Sequence, residues 1–321
     1  MRALVYTATG QVEMQYRPEP VAGPDDVTID VNLVGICGSD VLGYLGRSPG
    51  RRPPLVLGHE FTGWWDGRPV VVNPIVSCGR CARCLEHRES LCTSMRLAGL
   101  HHDGAMQERV KMPARNVIVL DDEDDHDLMV MAEPFACSIH ATTLVPDPGA
   151  VRSLIIGFGS LGCMTALALR HQGSGPIDVV DTSPARTALA GRFRVRAISA
   201  ADIKPSSYDC VYDCAGYSAT RALSAKALVP GGHLVLIGYG ESDGGIDFVD
   251  VVRREIHLHG AMAYGSAEFN KAVRLLREGI LDARDLIKVY PLDRGQEAFD
   301  EARTSKSSFI KTALRAAESR R

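Results

Sequence analysis

The sequence contains no run of about 18 apolar residues, the length a membrane-spanning helix needs. It also has no excess of positive charge. Its 36 Lys and Arg stand against 39 Asp and Glu, for a net charge of −3, so no global field exists to hold nucleic acid or an anionic membrane. The opening stretch MRALVYTATG has one Arg and no apolar core, so no secretory leader is expected there and the expected setting is the cytoplasm. No internal repeat is visible. What is present is ordinary globular material: 321 residues, 45% hydrophobic and 23% charged. At roughly 100–200 residues per domain this predicts about two domains. Nine cysteines without an export signal read as thiols or metal ligands rather than disulfides.

The first third reads as β. Short apolar runs, Ala3–Tyr6 and Val27–Val34, are interrupted by Gly, Pro and Asp. The character changes at Val145-Pro146-Asp147-Pro148-Gly149, a linker signal. Strands at Ser153–Gly157, Ile177–Asp181, Tyr208–Cys214, His233–Gly238 and Ile256–Ala263 then alternate with helical runs at Leu161–His171, Pro184–Gly191, Ala219–Leu228 and Ala267–Glu278. That alternation predicts a doubly wound parallel sheet. A strand-like run, Phe309–Leu314, follows near the end. Asp121–Asp127 reads as a solvated acidic loop.

Two motifs carry chemistry on spacing alone. Cys78, Cys81, Cys84 and Cys92 follow C-x2-C-x2-C-x7-C. Four clustered thiolates suit tetrahedral Zn²⁺ in a closed, structural site, which would fold an otherwise core-poor loop. An iron–sulfur cluster or reactive thiols are the alternatives for the same spacing. Gly157-Phe158-Gly159-Ser160-Leu161-Gly162 is a GxGxxG that follows an apolar strand and opens a helix, the context of a dinucleotide turn. The glycines allow the tight turn, the close approach of pyrophosphate and close helix packing. Asp181 ends the next strand, where a carboxylate accepts from ribose hydroxyls and repels a 2′-phosphate, so NAD is favoured over NADP. Arg186 nearby softens that preference, being placed to contact a phosphate or to lie along the adenine. Gly216 and Gly238 end two further strands, at the edge where such sheets bind ligands.

Three further residues have bland readings when taken singly: Cys37 as a buried thiol, His59 as a satisfied polar residue, Glu133 as the acidic start of a helix. Spacing does not join them. The order Gly35-Ile36-Cys37-Gly38-Ser39-Asp40, Gly58-His59-Glu60, the four cysteines, Glu133-Pro134 and then GxGxxG nevertheless resembles the zinc-dependent medium-chain alcohol dehydrogenases. The similarity is greatest to the branch of sorbitol (polyol) and threonine dehydrogenases, and spans Met1 to about Leu314. The resemblance implies a GroES-like β-barrel catalytic domain, 1–145 and 285–321 with the structural-zinc lobe at 78–92, and a Rossmann cofactor domain, 146–284. It implies two zinc ions per chain. The catalytic one falls to Cys37, His59 and Glu133, with Glu60 a carboxylate that binds or leaves it. Ser39 takes the place of the proton-relaying hydroxyl. A homodimer or homotetramer is implied, through the sheet edge near Leu258–Tyr264.

The sequence also departs from the family. A His is common five residues after the first zinc ligand, and here that position is Leu42, which carries no proton. His101 and His102 are substitutes on offer. The hairpin after Glu60 is short, Phe61–Pro69, with a compact turn through Asp66-Gly67-Arg68. Cys137, Cys163, Cys210 and Cys214 read as small core residues. The expected activity is hydride transfer between a secondary alcohol of a small hydroxylated molecule (polyol, cyclitol or aminocyclitol, amino alcohol) and NAD. A redox-neutral epimerase or lyase with tightly held NAD is the alternative, and a non-catalytic nucleotide-binding scaffold the remote one.

Overall fold

The computed structural model of the chain describes residues 1–147, 151–242, 244–304 and 308–316. Of the linker signal, Pro148 and Gly149 lie outside the described residues. Two compact units emerge: Met1–Glu133 with Gly265–Ser305 and Lys311–Arg321, and Pro134–Tyr264 with Lys306–Ile310.

The first unit is built around the strand Asp26–Ile36. Its apolar run buries Ile29, Val31, Leu33, Val34 and Ile36. It pairs antiparallel with Glu60–Trp65, Arg109–Pro113 and Lys311–Arg315, at the heart of a seven-stranded mixed sheet. A three-stranded sheet holds Arg2–Ala8, Gln11–Tyr16 and Leu55–Val56. Leu4, Tyr6, Val34, Phe61, Met106, Phe299 and Leu314 share one core. The short hairpin is as expected: Trp65 faces Arg68 across a two-residue turn, Asp66-Gly67. Both turn residues are left-handed, φ +50° and +73°, the geometry that matches strand twist.

The second unit is a six-stranded, all-parallel sheet. Its spatial order is Arg196–Ala197, Ile177–Val180, Ser153–Ile156, Tyr208–Asp213, Leu228–Leu236, His257–Gly260. In sequence order that is 3-2-1-4-5-6, the doubly wound arrangement whose switch point lies beside the first strand. The glycine turn follows that strand. One expected helix, over 184–191, is interrupted. Pro184–Thr187 is helical, Ala190–Phe193 is a 3-10 turn, and Arg194 ends it at φ +54°. Gly191 weakens a continuous helix there.

The compact units change over at Glu133/Pro134 and Tyr264/Gly265, whereas the resemblance implies bounds at 145/146 and 284/285. The helix Ala132–Thr143 explains the first shift, because Ser138 Oγ donates to Leu161 O and Gln172 Nε2 to Thr142 Oγ1. The helix Ser266–Arg277 explains the second, with Ser266 Oγ on Glu89 (2.6 Å) and Arg277 Nη2 on Val119 O (2.8 Å). The acidic stretch 121–127 is a loop, but a pinned one: Asp124 pairs with Arg277, Asp125 with Arg284 and Asp127 with Arg315. Among the described residues no helix is long and apolar enough to cross a membrane.

Candidate active site

The ligand atoms of Cys78, Cys81, Cys84 and Cys92 all lie within 4.8 Å of one another. Their lobe is a short helix, Ala82–Leu85, begun by Cys81, and a 3-10 turn, Glu89–Leu91, that ends at Cys92. Sulfur separations of 3.5 Å (Cys81–Cys84) and 3.9 Å (Cys78–Cys84) bracket the roughly 3.8 Å that a tetrahedral ion with bonds of about 2.3 Å imposes. All four are free thiols. Backbone N–H groups of Arg80 and Cys81 bring Cys78 down to about 6. For Cys81, a backbone hydrogen bond at Cys84 favours the thiolate, but burial and the neighbouring sulfurs prevail and push it up to about 11. Four thiolates this close need a cation to coexist, so the donor set fits a divalent metal.

A second cluster joins Cys37, His59 and Glu60, again with ligand atoms within 4.8 Å. Cys37 caps the helix Gly38–Tyr44, directly after the central strand. Glu60 opens the neighbouring strand, where Gly35 faces it, and His59 immediately precedes that strand. A Cβ on Gly35 would stand 2.2 Å from Glu60 Oε2, so glycine there makes room for the carboxylate. The segment after His101-His102 braces the His59 turn, with Ala105 N on Gly58 O and Met106 N on Leu57 O. His101 Nδ1 accepts from Leu97 N, and His102 Nδ1 lies 3.0 Å from Asp103 O, so both rings serve their own loop. Glu133 is buried near the start of its helix. It lies outside the three-atom set, yet close enough to Lys311 to stabilise that ammonium.

Two cations complete this cluster, and sequence reading missed both. Lys311 Nζ lies 2.7 and 2.6 Å from the two carboxylate oxygens of Glu60, with both side chains buried. Burial disfavours the Lys311 ammonium, but Glu60 and Cys37 outweigh it and raise its pKa. Arg51, also buried, donates from Nη2 to Ser39 Oγ at 3.0 Å. Its Nε lies 3.5 Å from Asp40 Oδ1, and His59 Nδ1 lies 3.4 Å from the same oxygen. None of these three atoms closes a well-aligned hydrogen bond. Burial disfavours protonated His59, but the Asp40 carboxylate prevails and pushes it well above its ordinary value. A carboxylate on one ring nitrogen, with the other left for the thiolate side, is the usual support of a metal-ligating imidazole. Thiolate, imidazole and carboxylate are zinc donors, and the set fits that ion.

In the second unit, Gly157 sits at φ +90°, and a Cβ on Gly162 would meet Gly157 O at 2.0 Å. The close packing that the third glycine is there to allow is therefore real. The helix Ser160–His171 starts at Gly159 with no side-chain cap, and Ser160 Oγ is buried without a partner. Leu161 follows in the same first turn. Uncapped N–H groups at a helix start suit an anion, so the turn fits a dinucleotide. Asp181 accepts from Phe158 N (2.7 Å) and Ser183 N (2.8 Å), which ties the second strand to the turn. Arg186 lies 3.9 Å from Asp181, with its guanidinium over Gly159. Gly216 and Gly238 touch, a Cβ on Gly216 standing 2.2 Å from the Gly238 carbonyl. Gly216 N–H is taken by Asp213, so the position offers a ligand space rather than a donor. Burial pushes Cys210 and Cys214 up to about 12 and Cys163 well above the ordinary thiol range, consistent with packing roles.

Comparison with known proteins agrees with this geometry. The alcohol dehydrogenase GroES-like domain model matches residues 23–122, and the zinc-binding dehydrogenase model matches residues 160–278. Sorbitol dehydrogenase of Bacillus subtilis (strain 168) is 29% identical over 98% of this chain and 97% of its own. L-threonine 3-dehydrogenase of Streptomyces avermitilis is 31% identical over 84% of this chain and 86% of its own. The solved L-idonate 5-dehydrogenase of Escherichia coli superposes with a TM-score of 0.87 at 25% identity, covering 98% and 97% of the two chains. Its curated name includes NAD(P)(+). All three are named as dehydrogenases, and nothing in them supports the redox-neutral alternative. The chain belongs to the zinc-dependent medium-chain alcohol dehydrogenases, in their polyol and threonine dehydrogenase branch, and is an oxidoreductase that uses zinc and a nicotinamide dinucleotide.

Proposed function

We propose that this chain oxidises a secondary alcohol of a hydroxyl-rich small molecule (a polyol, a cyclitol or aminocyclitol, or an amino alcohol) with NAD as hydride acceptor. The observation that carries the reading is the convergence of Cys37, His59 and Glu60 on one point. The names of the relatives, which cover a polyol, a hydroxy amino acid and a sugar acid, support a small molecule bearing a secondary alcohol.

Cys37, His59 and Glu133 would hold the catalytic zinc, with Glu60, clamped by Lys311, as a second carboxylate and fourth donor. Cys78, Cys81, Cys84 and Cys92 would hold the structural one. When bound, the catalytic ion supplies Lewis-acid polarisation of the substrate hydroxyl. Ser39 Oγ accepts the hydroxyl proton as its own proton leaves. Arg51 donates into that oxygen and is permanently charged, so it fixes Ser39 without carrying the proton onward. Leu42 carries none either, which leaves water or a cofactor hydroxyl as the next acceptor. Asp181 favours NAD over NADP, with the turn Gly157, Gly159, Ser160, Leu161, Gly162 and Arg186 on the pyrophosphate side. Cytoplasmic residence and a homodimer or homotetramer through the edge strand His257–Gly260 complete the reading. That edge carries unpaired backbone groups that a second copy would satisfy.

The test is zinc per chain, measured together with an NAD-reduction screen of polyols, cyclitols and amino alcohols. Two zinc ions with substrate-dependent NADH are expected. One zinc ion, kept in C37A and lost in C81A, would overturn the catalytic-metal assignment.

A further inference from the structure

The cofactor turn occupies the carboxyl end of the parallel sheet. The amino ends of the same strands hold something the reaction does not use. Asp178, near the start of its strand, is buried with its side chain 2% exposed, and it takes three donors. Arg196 binds it with a two-pronged grip (Nε–Oδ1 2.7 Å, Nη2–Oδ2 2.9 Å), Arg152 adds Nη2 at 3.1 Å, and Tyr208 Oη donates at 2.6 Å. Burial alone would raise Asp178, but these hydrogen bonds prevail and hold it below the ordinary carboxylate range. The Arg152 guanidinium also lies over the Tyr208 ring at 4.7 Å. Both arginines are therefore held in one orientation, yet their side chains stay 42% (Arg152) and 66% (Arg196) exposed.

Arg152, Asp178 and Arg196 line an open concavity of ≈ 580 Å³ whose wall adds Arg170 and Arg194. Arg170 lies in the last turn of the helix that follows the glycine turn, and Arg194 is the left-handed residue that closes the 3-10 turn. Among the described residues neither has a carboxylate within ion-pair distance. Four arginines thus line a concavity whose one carboxylate, Asp178, two of them already neutralise, on a chain whose net charge is −3. Guanidinium groups held as planar forks with free N–H edges match phosphate oxygens in pairs.

We propose that this concavity is a binding site for a small polyanion carrying two or more phosphate groups, separate from the cofactor turn. Its size and the chain's negative net charge favour a small molecule over a nucleic acid.

The test is calorimetric titration of inorganic pyrophosphate into zinc-loaded, NAD-saturated protein at fixed ionic strength. NAD fills the glycine turn, and zinc is assayed afterwards to show that the probe has not stripped it. Saturable binding of one pyrophosphate per chain is expected. The double variant R170A/R194A should weaken it at least tenfold and R170K/R194K should restore part of it, with NAD-dependent turnover unchanged in both. Absence of saturable binding, or equal affinity in R170A/R194A, would overturn the site. So would an affinity for a short single-stranded RNA greater than that for pyrophosphate.

Discussion

The two ligand clusters of the first unit are assembled in contrasting ways. The lobe gathers four like donors from one short stretch, Cys78 to Cys92, with its own small helix and turn as scaffold. The other cluster gathers unlike donors, Cys37, His59 and Glu60, and surrounds them with buried charges of both signs: Asp40, Arg51 and Lys311. A set of four equivalent thiolates closes a metal's coordination shell and does nothing further. A mixed set with its own counter-charges keeps room for a reacting oxygen and tunes each ligand. The contrast predicts that damage to the first cluster lowers stability, whereas damage to the second lowers rate.

Substitution of Cys37 is the sharpest way to break that contrast. C37A should lose about 10³-fold or more in kcat and one of two zinc ions, with little change in Tm; loss of both ions would mean that the clusters are not independent. C81S should do the reverse, by removing the lobe's zinc and about 4 kcal/mol of stability while residual folded protein turns over normally. Thermal unfolding with parallel activity per folded molecule separates the two. K311M leaves the Glu60 carboxylate buried and unpaired, which costs about 3–5 kcal/mol, and E60Q/K311M should recover most of it. If the single and double variants unfold at the same temperature, the buried pair is not what Lys311 contributes. R51A should slow alcohol oxidation about tenfold to a hundredfold at unchanged zinc content, and R51K should restore part of the rate. An unaltered rate in R51A would detach Arg51 from Ser39. D181A should shift the NAD-to-NADP preference about tenfold toward NADP, read from the ratio of the two kcat/KM values.

How much of this was legible before the structure follows the same division. Local features were readable: the cysteine spacing, the glycine turn and the strand–helix alternation that becomes the 3-2-1-4-5-6 sheet. The turn at Asp66-Gly67 was readable because its two left-handed residues sit where the chain names them. Arg51 and Lys311 were not. Arg51 lies in a stretch rich in Gly, Pro and Arg that reads as surface loop, and Lys311 interrupts an apolar strand with a charge. Only sheet pairing across 251 residues brings Lys311 to Glu60. One local trace existed, Gly35, whose missing side chain marks the space the Glu60 carboxylate occupies. The acidic stretch 121–127 was legible as a loop, but its partners Arg277, Arg284 and Arg315 were not, since all come from far along the chain.

That separation of 251 residues also has a meaning in time. At about 5–20 residues per second, a ribosome that has just made Glu60 needs roughly 10–50 s more to reach Lys311. Throughout that interval Glu60 lacks its counter-ion, so the strand that carries it gains little by burying it. The four-cysteine lobe waits for nothing downstream of Cys92 to gather its ligands and can take up an ion while synthesis continues. On the proposed assignment of the two clusters, a nascent chain stalled between these points would be metal-bearing yet inert, with the four-cysteine lobe loaded and the mixed cluster still waiting for the strand that carries Lys311.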